Sequence, residues 1–127
     1  MITLILAAVI AAPIPCPVPR TLDGDTIACG AIHIRLSGID APELPGHCRK
    51  GRICAPGDPV KSRDAMIATL ASAPVTYRPI KLDLYKRTIA LVYAGVVNVS
   101  CAQIASGSAI FKPTWDTRHY IKRECRL

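Results

Sequence analysis

The stretch Ile32-His33-Ile34-Arg35-Leu36-Ser37-Gly38-Ile39-Asp40-Ala41-Pro42-Glu43, which follows Asp23-Gly24-Asp25-Thr26, decides the fold. Ile32, Ile34 and Leu36 alternate with His33, Arg35 and Ser37. That period of two reads as a half-buried strand and turns Arg35 away from the core. Asp23-Gly24 is a strong short-turn pair, so residues 18–22 and Thr26–Cys29 read as a hairpin feeding this strand. Asp25, Asp40, Glu43 and Arg35 then fall near strand ends. Carboxylates in that number suit a hard cation such as Ca²⁺. An arginine beside them can grip a phosphate through two parallel hydrogen bonds.

Working outward, residues 38–56 form a long irregular segment rich in glycine and proline, a length that in a small domain points to function. Asp58-Pro59 marks a helix start, with Asp58 as N-cap and proline in the first turn. Val60, Ile67, Leu70 and Ala71 supply its apolar face up to about Ser72, and Pro74 ends it. Strands are expected over 75–80 and 88–93, with Gly95 at the following turn. Asn98 caps a second helix over Val99–Ala105, which stops at Gly107. The tail after Pro113 is basic and without clear period. Five short strands with a helix after the third predict a β-rich α+β domain. The fold class is a five-stranded Greek-key barrel of the oligonucleotide/oligosaccharide-binding (OB) type, with two or three short helices.

The chain has 127 residues, room for one domain. No side chain before Arg20 is charged, and Ile2 to Ala12 carry Thr3 as their single polar residue. Eleven helical residues span about 16 Å, roughly half a bilayer core. Residues 1–12 therefore read as a cleaved export signal rather than an anchor, leaving a domain over 13–127. Six cysteines in so short an exported chain imply a disulfide framework. Cys16 and Cys29 flank the Asp23-Gly24 turn, and Cys48 and Cys54 close a short loop. Cys101 and Cys125 then remain for each other. The alternative for His47, Cys48 and Cys54 is zinc, although their spacing matches no common zinc pattern. Sixteen basic residues against nine acidic give a net charge of +7, which favours polyanionic partners.

A second cluster, Asp83-Leu84-Tyr85-Lys86-Arg87, stands before the strand at Thr88. With it, three segments occur in order: Asp23-Gly24-Asp25-Thr26, then Arg35-Leu36 with Asp40-Ala41-Pro42-Glu43, then Asp83 with Tyr85-Lys86-Arg87. From Val18 to Lys112 the chain thereby resembles the staphylococcal-nuclease (thermonuclease) family. The resemblance implies an OB barrel that hydrolyses DNA and RNA with Ca²⁺, cutting the bond to the 5′ oxygen and leaving a 3′-phosphate. It implies Asp25, Asp40 and the carbonyl of Ala41 as metal ligands, Glu43 as the residue that orients or deprotonates water, and Arg35 and Arg87 as stabilisers of phosphate charge. Tyr85 and Lys86 would meet substrate, and Arg49, Lys50 and Arg52, bracketed by Cys48 and Cys54, would meet its backbone. Two departures stand out. Lys86 occupies a usual glycine position, and Ile110-Phe111-Lys112-Pro113 holds no phenol where the type member has tyrosines in its nucleotide pocket. The reading is thus of an exported, monomeric, Ca²⁺-dependent endonuclease. The alternative is a non-catalytic nucleic-acid-binding OB module.

Overall fold

A computed structural model describes residues 12–127; the segment read as an export signal lies, but for Ala12, outside the described residues. The chain folds as a strand-rich α+β unit: a curled, half-barrel sheet, a two-stranded ribbon and three short helices. The strands are β1 (Ile14–Pro15), β2 (Pro19–Thr21), β3 (Thr26–Cys29), β4 (Ile32–Leu36), β5 (Ile39–Asp40), β6 (Val75–Leu82), β7 (Thr88–Ala94), β8 (Val97–Asn98) and β9 (Ile110–Phe111). The helices are α1 (Pro59–Ala71), α2 (Val99–Ala105) and α3 (Tyr120–Glu124). The main sheet runs β1-β6-β7-β4-β3-β2, with β8 added to β7, while β5 pairs with β9. All pairs are antiparallel except β4 with β7, where Ile34 faces Thr88 and Leu36 faces Ala90. A parallel pair needs a long crossover, and here that crossover contains the irregular segment, α1 and β6. Its register pairs Arg35 with Ile89, two residues after Arg87, which stands just before the start of β7.

The core lies between the concave face of the sheet and helices α1 and α2, with Ile27, Ile34, Leu36, Met66, Val92 and Val99 all essentially buried. Ile34 and Leu36 occupy the expected face of β4, but Ile32, at the strand's open end, is exposed. On α1 the expected face is corrected in part. Leu70 is buried as expected, but Val60, Ile67 and Ala71 are exposed, and Ser62 and Met66, eight and four residues before Leu70, turn inward with it. The cause is a polar tether: Ser62 Oγ donates to Ser108 O at 2.6 Å, and Ser62 O accepts from Gln103 Nε2 at 3.1 Å. Gly24 packs so closely on this point that a Cβ there would lie 1.8 Å from Ser62 Oγ. Asp58 caps α1 as expected, accepting from the N–H groups of Val60 and Lys61.

Three disulfides join Cys16 to Cys29, Cys48 to Cys54, and Cys101 to Cys125. Cys48 and Cys54 are therefore not free zinc ligands. The basic tail is ordered rather than patternless. Buried Asp116 accepts from the N–H groups of Ile121 and Lys122, starting α3, and Ile121 is fully buried. Gly38, at φ +75°, makes room for it, since a Cβ there would lie 2.7 Å from Ile121. Among the described residues no helix is long and apolar enough to cross a membrane.

Candidate functional site

Arg35 is the hub of the site. Its side chain is 11% exposed, and its charge is enclosed by acceptors. Nη1 donates to Leu36 O at 3.1 Å and Ile39 O at 2.9 Å, while Nη2 lies 3.2 Å from Asp25 Oδ2 and 3.6 Å from Asp40 Oδ1. Thus β4 turns Arg35 off the apolar face, as the alternation requires, but into a polar cluster rather than into water. Asp25 is fixed independently: Oδ2 accepts from Ala41 N–H at 2.8 Å and Oδ1 from Thr26 Oγ1 at 3.0 Å. The turn below it is anchored by Gln103, fully buried on α2, whose Nε2 donates to Gly24 O at 2.8 Å.

Burial pushes the Asp40 carboxyl up, as does the charge of Asp25, with Arg35, Arg52 and Lys112 pulling the other way. Asp23 is a further member of the cluster, outside the expected site set. It accepts from Asp25 N–H at 3.0 Å, and burial together with the Asp25 charge pushes its carboxyl up to about 7. Negative charge is therefore concentrated beyond what water can screen.

Arg87 approaches from the β6–β7 turn and lines the same cleft of about 700 Å³ as Asp25, Arg35 and Glu43. Its Nε donates to Asp83 Oδ2 at 2.7 Å, and its N–H donates to Asp83 Oδ1 at 2.9 Å. Burial would raise the Asp83 carboxyl, but the bonds from Arg87 and Tyr85 outweigh it and hold it below the ordinary range. Asp83 therefore builds the turn and pairs with Arg87. Lys86 sits in that turn at φ +62°, the left-handed backbone its glycine-position departure implies.

The segment between Cys48 and Cys54 reaches both walls of the cleft. Arg52 Nη1 lies 3.0 Å from Glu43 Oε1, and its Nη2 lies 3.4 Å from Asp40 Oδ1. Arg49 Nη1 donates to Tyr85 Oη at 2.8 Å, and its guanidinium stands 4.8 Å from the centre of that ring. Arg49, Arg52 and Tyr85 therefore belong to the cleft. Lys50 and Lys86 do not: both are exposed and absent from its walls, Lys86 because the turn carries it outward. The aromatic residue unforeseen in the sequence is Trp115. It lies in a single 3-10 turn at Pro113–Trp115, 5.6 Å from the Arg35 guanidinium and 5.0 Å from Lys112 Nζ.

Among the described residues, no three carboxylate, histidine or thiol side chains are gathered closely enough to cage a metal alone. The donor set nevertheless fits Ca²⁺: two carboxylates, Asp25 and Asp40, beside the Ala41 backbone offer hard oxygens, and Ca²⁺ sites routinely complete themselves with carbonyls and water. The raised Asp40 carboxyl marks a spot where added positive charge would be stabilised. The chain matches no protein-family model and no curated protein.

Proposed function

We propose that the chain is an exported, Ca²⁺-dependent endonuclease of the staphylococcal-nuclease type, hydrolysing phosphodiester bonds of DNA and RNA without strong sequence preference. The observation that carries this reading is convergence. Asp25, Arg35, Glu43 and Arg87 come from separate segments and line one cleft, and buried Asp40 stands 3.6 Å from Arg35. The same reading makes the curled sheet an OB barrel, with β1 and β2 as halves of one bent strand followed by β3, β4, β6 and β7. Supporting it are the parallel β4–β7 pair, the Cys16 N–H bond to Val75 O at 2.9 Å, and the Cys16–Cys29 bridge between the bent strand and β3. Three disulfides support an oxidising, exported setting.

Hydrolysis builds extra negative charge on a pentacoordinate phosphorus. Asp25, Asp40 and the Ala41 carbonyl would hold the cation, which when bound polarises the phosphate and lowers the charge barrier. Arg87, its Nε committed to Asp83, is oriented to offer its terminal nitrogens to the phosphate. Arg35 has Nη1 on the Leu36 and Ile39 carbonyls and Nη2 facing Asp25 and Asp40, so Nε is the nitrogen left for the growing charge. Arginine keeps its proton through the reaction, so both serve as charge stabilisers. Glu43 takes a proton from the attacking water as its oxygen bonds to phosphorus, the bond to the 5′ oxygen breaks, and the departing oxygen gains a proton from solvent.

The test is cleavage of single-stranded DNA and of RNA with Ca²⁺ against a chelator. Cutting that requires Ca²⁺ is expected, and undiminished cutting by metal-stripped protein would overturn the metal assignment. One observation favours a second reading, the non-catalytic binding module: Arg35 and Arg52 already pair with Asp25, Asp40 and Glu43. Nucleic-acid binding with no cleavage under any divalent cation would select it.

A further inference from the structure

The ring closed by Cys48 and Cys54 touches the body of the protein in an unusual way. Its bridge joins residues six apart in sequence, and Arg52 N–H donates to Arg49 O at 3.0 Å within it. Every residue from Cys48 to Ile53 is exposed, and Ile53 is 97% exposed, so the ring is not held by apolar packing. Among the described residues, its side-chain hydrogen bonds to the rest of the chain are made by two arginines, one to each wall of the cleft. Arg52 spans Asp40 and Glu43 with a single guanidinium, and Arg49 covers the ring of Tyr85.

We infer that this ring is a latch across the candidate site, in which Arg52 is a tethered counter-ion that competes with a divalent cation for Asp40 and Glu43. The inference rests on the nuclease reading of those carboxylates and adds to it how the site is kept closed. The Arg52 side chain is 39% exposed, whereas the Asp40 and Glu43 side chains are 4% and 19% exposed. The arginine is thus the part that can leave for water, and the carboxylates are the part that stays. While Arg52 is docked, Asp40 Oδ1 shares its charge with a second arginine, and Glu43 Oε1 is occupied as an acceptor. A carboxylate so engaged is a poorer ligand and a poorer base. A phosphodiester matches the guanidinium fork, and for Arg49 it replaces a neutral phenol with an anion. Substrate and cation together therefore open the latch, and the arginines that closed the site become backbone contacts. The bridge keeps Arg52 near its seat by limiting how far the loop can wander.

The experiment is calorimetric titration of Ca²⁺ alone, without nucleic acid, at fixed low ionic strength and with disulfides intact in the arginine and carboxylate variants. Asp40→Asn is the control for the site itself and should abolish saturable binding. Arg52→Gln should tighten Ca²⁺ roughly tenfold, the worth of a hydrogen bond to a charged group. Arg52→Lys should fall between wild type and Gln, and the double Cys48→Ser, Cys54→Ser variant should shift in the same direction by less. Arg52 is surface-exposed, and thermal melting verifies that each variant is folded. If Asp40→Asn removes binding while Arg52→Gln leaves it unchanged or weaker, the latch is refuted and the cation site stands. If Asp40→Asn binds Ca²⁺ like wild type, the cation site itself is refuted, and the latch with it.

Discussion

Asp23 provides a quantitative test of how much electrostatic conflict the folded state carries. Its carboxyl is pushed up to about 7, first by burial and then by the charge of Asp25, with Arg35 opposing. In the unfolded chain it returns to an ordinary 3.8. Between those values the folded state holds a proton that the unfolded state has lost, so stability falls as pH rises through the window and the loss persists above it. A gap of about 3 pH units at about 1.4 kcal/mol each gives a ceiling near 4 kcal/mol, and about 2–4 kcal/mol is the working range. Asp23→Asn removes the ionisation yet keeps an oxygen to accept from Asp25 N–H. Urea unfolding from pH 4 to pH 8, with chelator present and disulfides intact, should show the variant near wild type at pH 4. At pH 8 it should be more stable by about 2–4 kcal/mol. The raised Asp40 carboxyl and the lowered Asp83 carboxyl contribute slopes of opposite sign, but they are common to both proteins and drop out of the difference. Parallel curves, or a variant less stable than wild type at pH 8, would refute the assignment.

Two further outcomes follow from the β6–β7 turn. Arg87→Ala should lower kcat by roughly 10²–10³ while leaving the circular dichroism spectrum and melting cooperativity intact, because the side chain is 32% exposed and Asp83 keeps the backbone N–H bonds from Tyr85 and residue 87 that hold the turn. Lys86→Gly should raise the unfolding free energy by about 1 kcal/mol with cleavage retained, since the residue is exposed at φ +62°; a loss of stability on chemical denaturation would show that the lysine is not strained there.

The parts of this fold legible in the sequence are those set by local chemistry. The Asp23-Gly24 turn, the alternation along β4, the Asp58 and Asn98 caps and the Cys16–Cys29 and Cys48–Cys54 pairs need only neighbouring residues to be read. The two-residue strands β1, β5, β8 and β9 were not legible, because each exists through a partner distant in sequence, as Ile39 and Asp40 do opposite Phe111 and Ile110. The face of α1 was misread for a related reason. Counting apolar residues selects Val60, Ile67 and Ala71 along with the buried Leu70, whereas the helix is turned by the Ser62 bonds and by the close approach of Gly24. Trp115 carried no periodic signal, since a single 3-10 turn has none. Gln103 did leave a trace: a polar residue four positions after Val99, on the stripe of α2 that should be apolar, and both are fully buried.

That buried glutamine explains why the acidic turn can hold its place at all. A turn carrying Asp23 and Asp25 next to Asp40 is pushed apart by its own charges in a medium that screens them poorly. Arg35 answers part of that repulsion, but a cation-binding site fully neutralised by arginine would have nothing left to offer a metal. Arg52 answers a further part at Asp40 and Glu43, and the restraint on the backbone beneath is neutral. Gln103 holds Gly24 O and Ser62 O with one amide nitrogen, Ser100 Oγ holds Ser37 O at 3.0 Å, and Ala41 N–H holds Asp25. Uncharged tethers fix the backbone beneath the carboxylates without quenching them. The Cys101–Cys125 bridge ties α2, which carries Gln103 and Ser100, to the end of α3, whose Ile121 packs on Gly38 just beyond β4. Charge is thus left unspent at the cleft because geometry is enforced from behind it, by amides, hydroxyls and disulfides that take no side in the electrostatics.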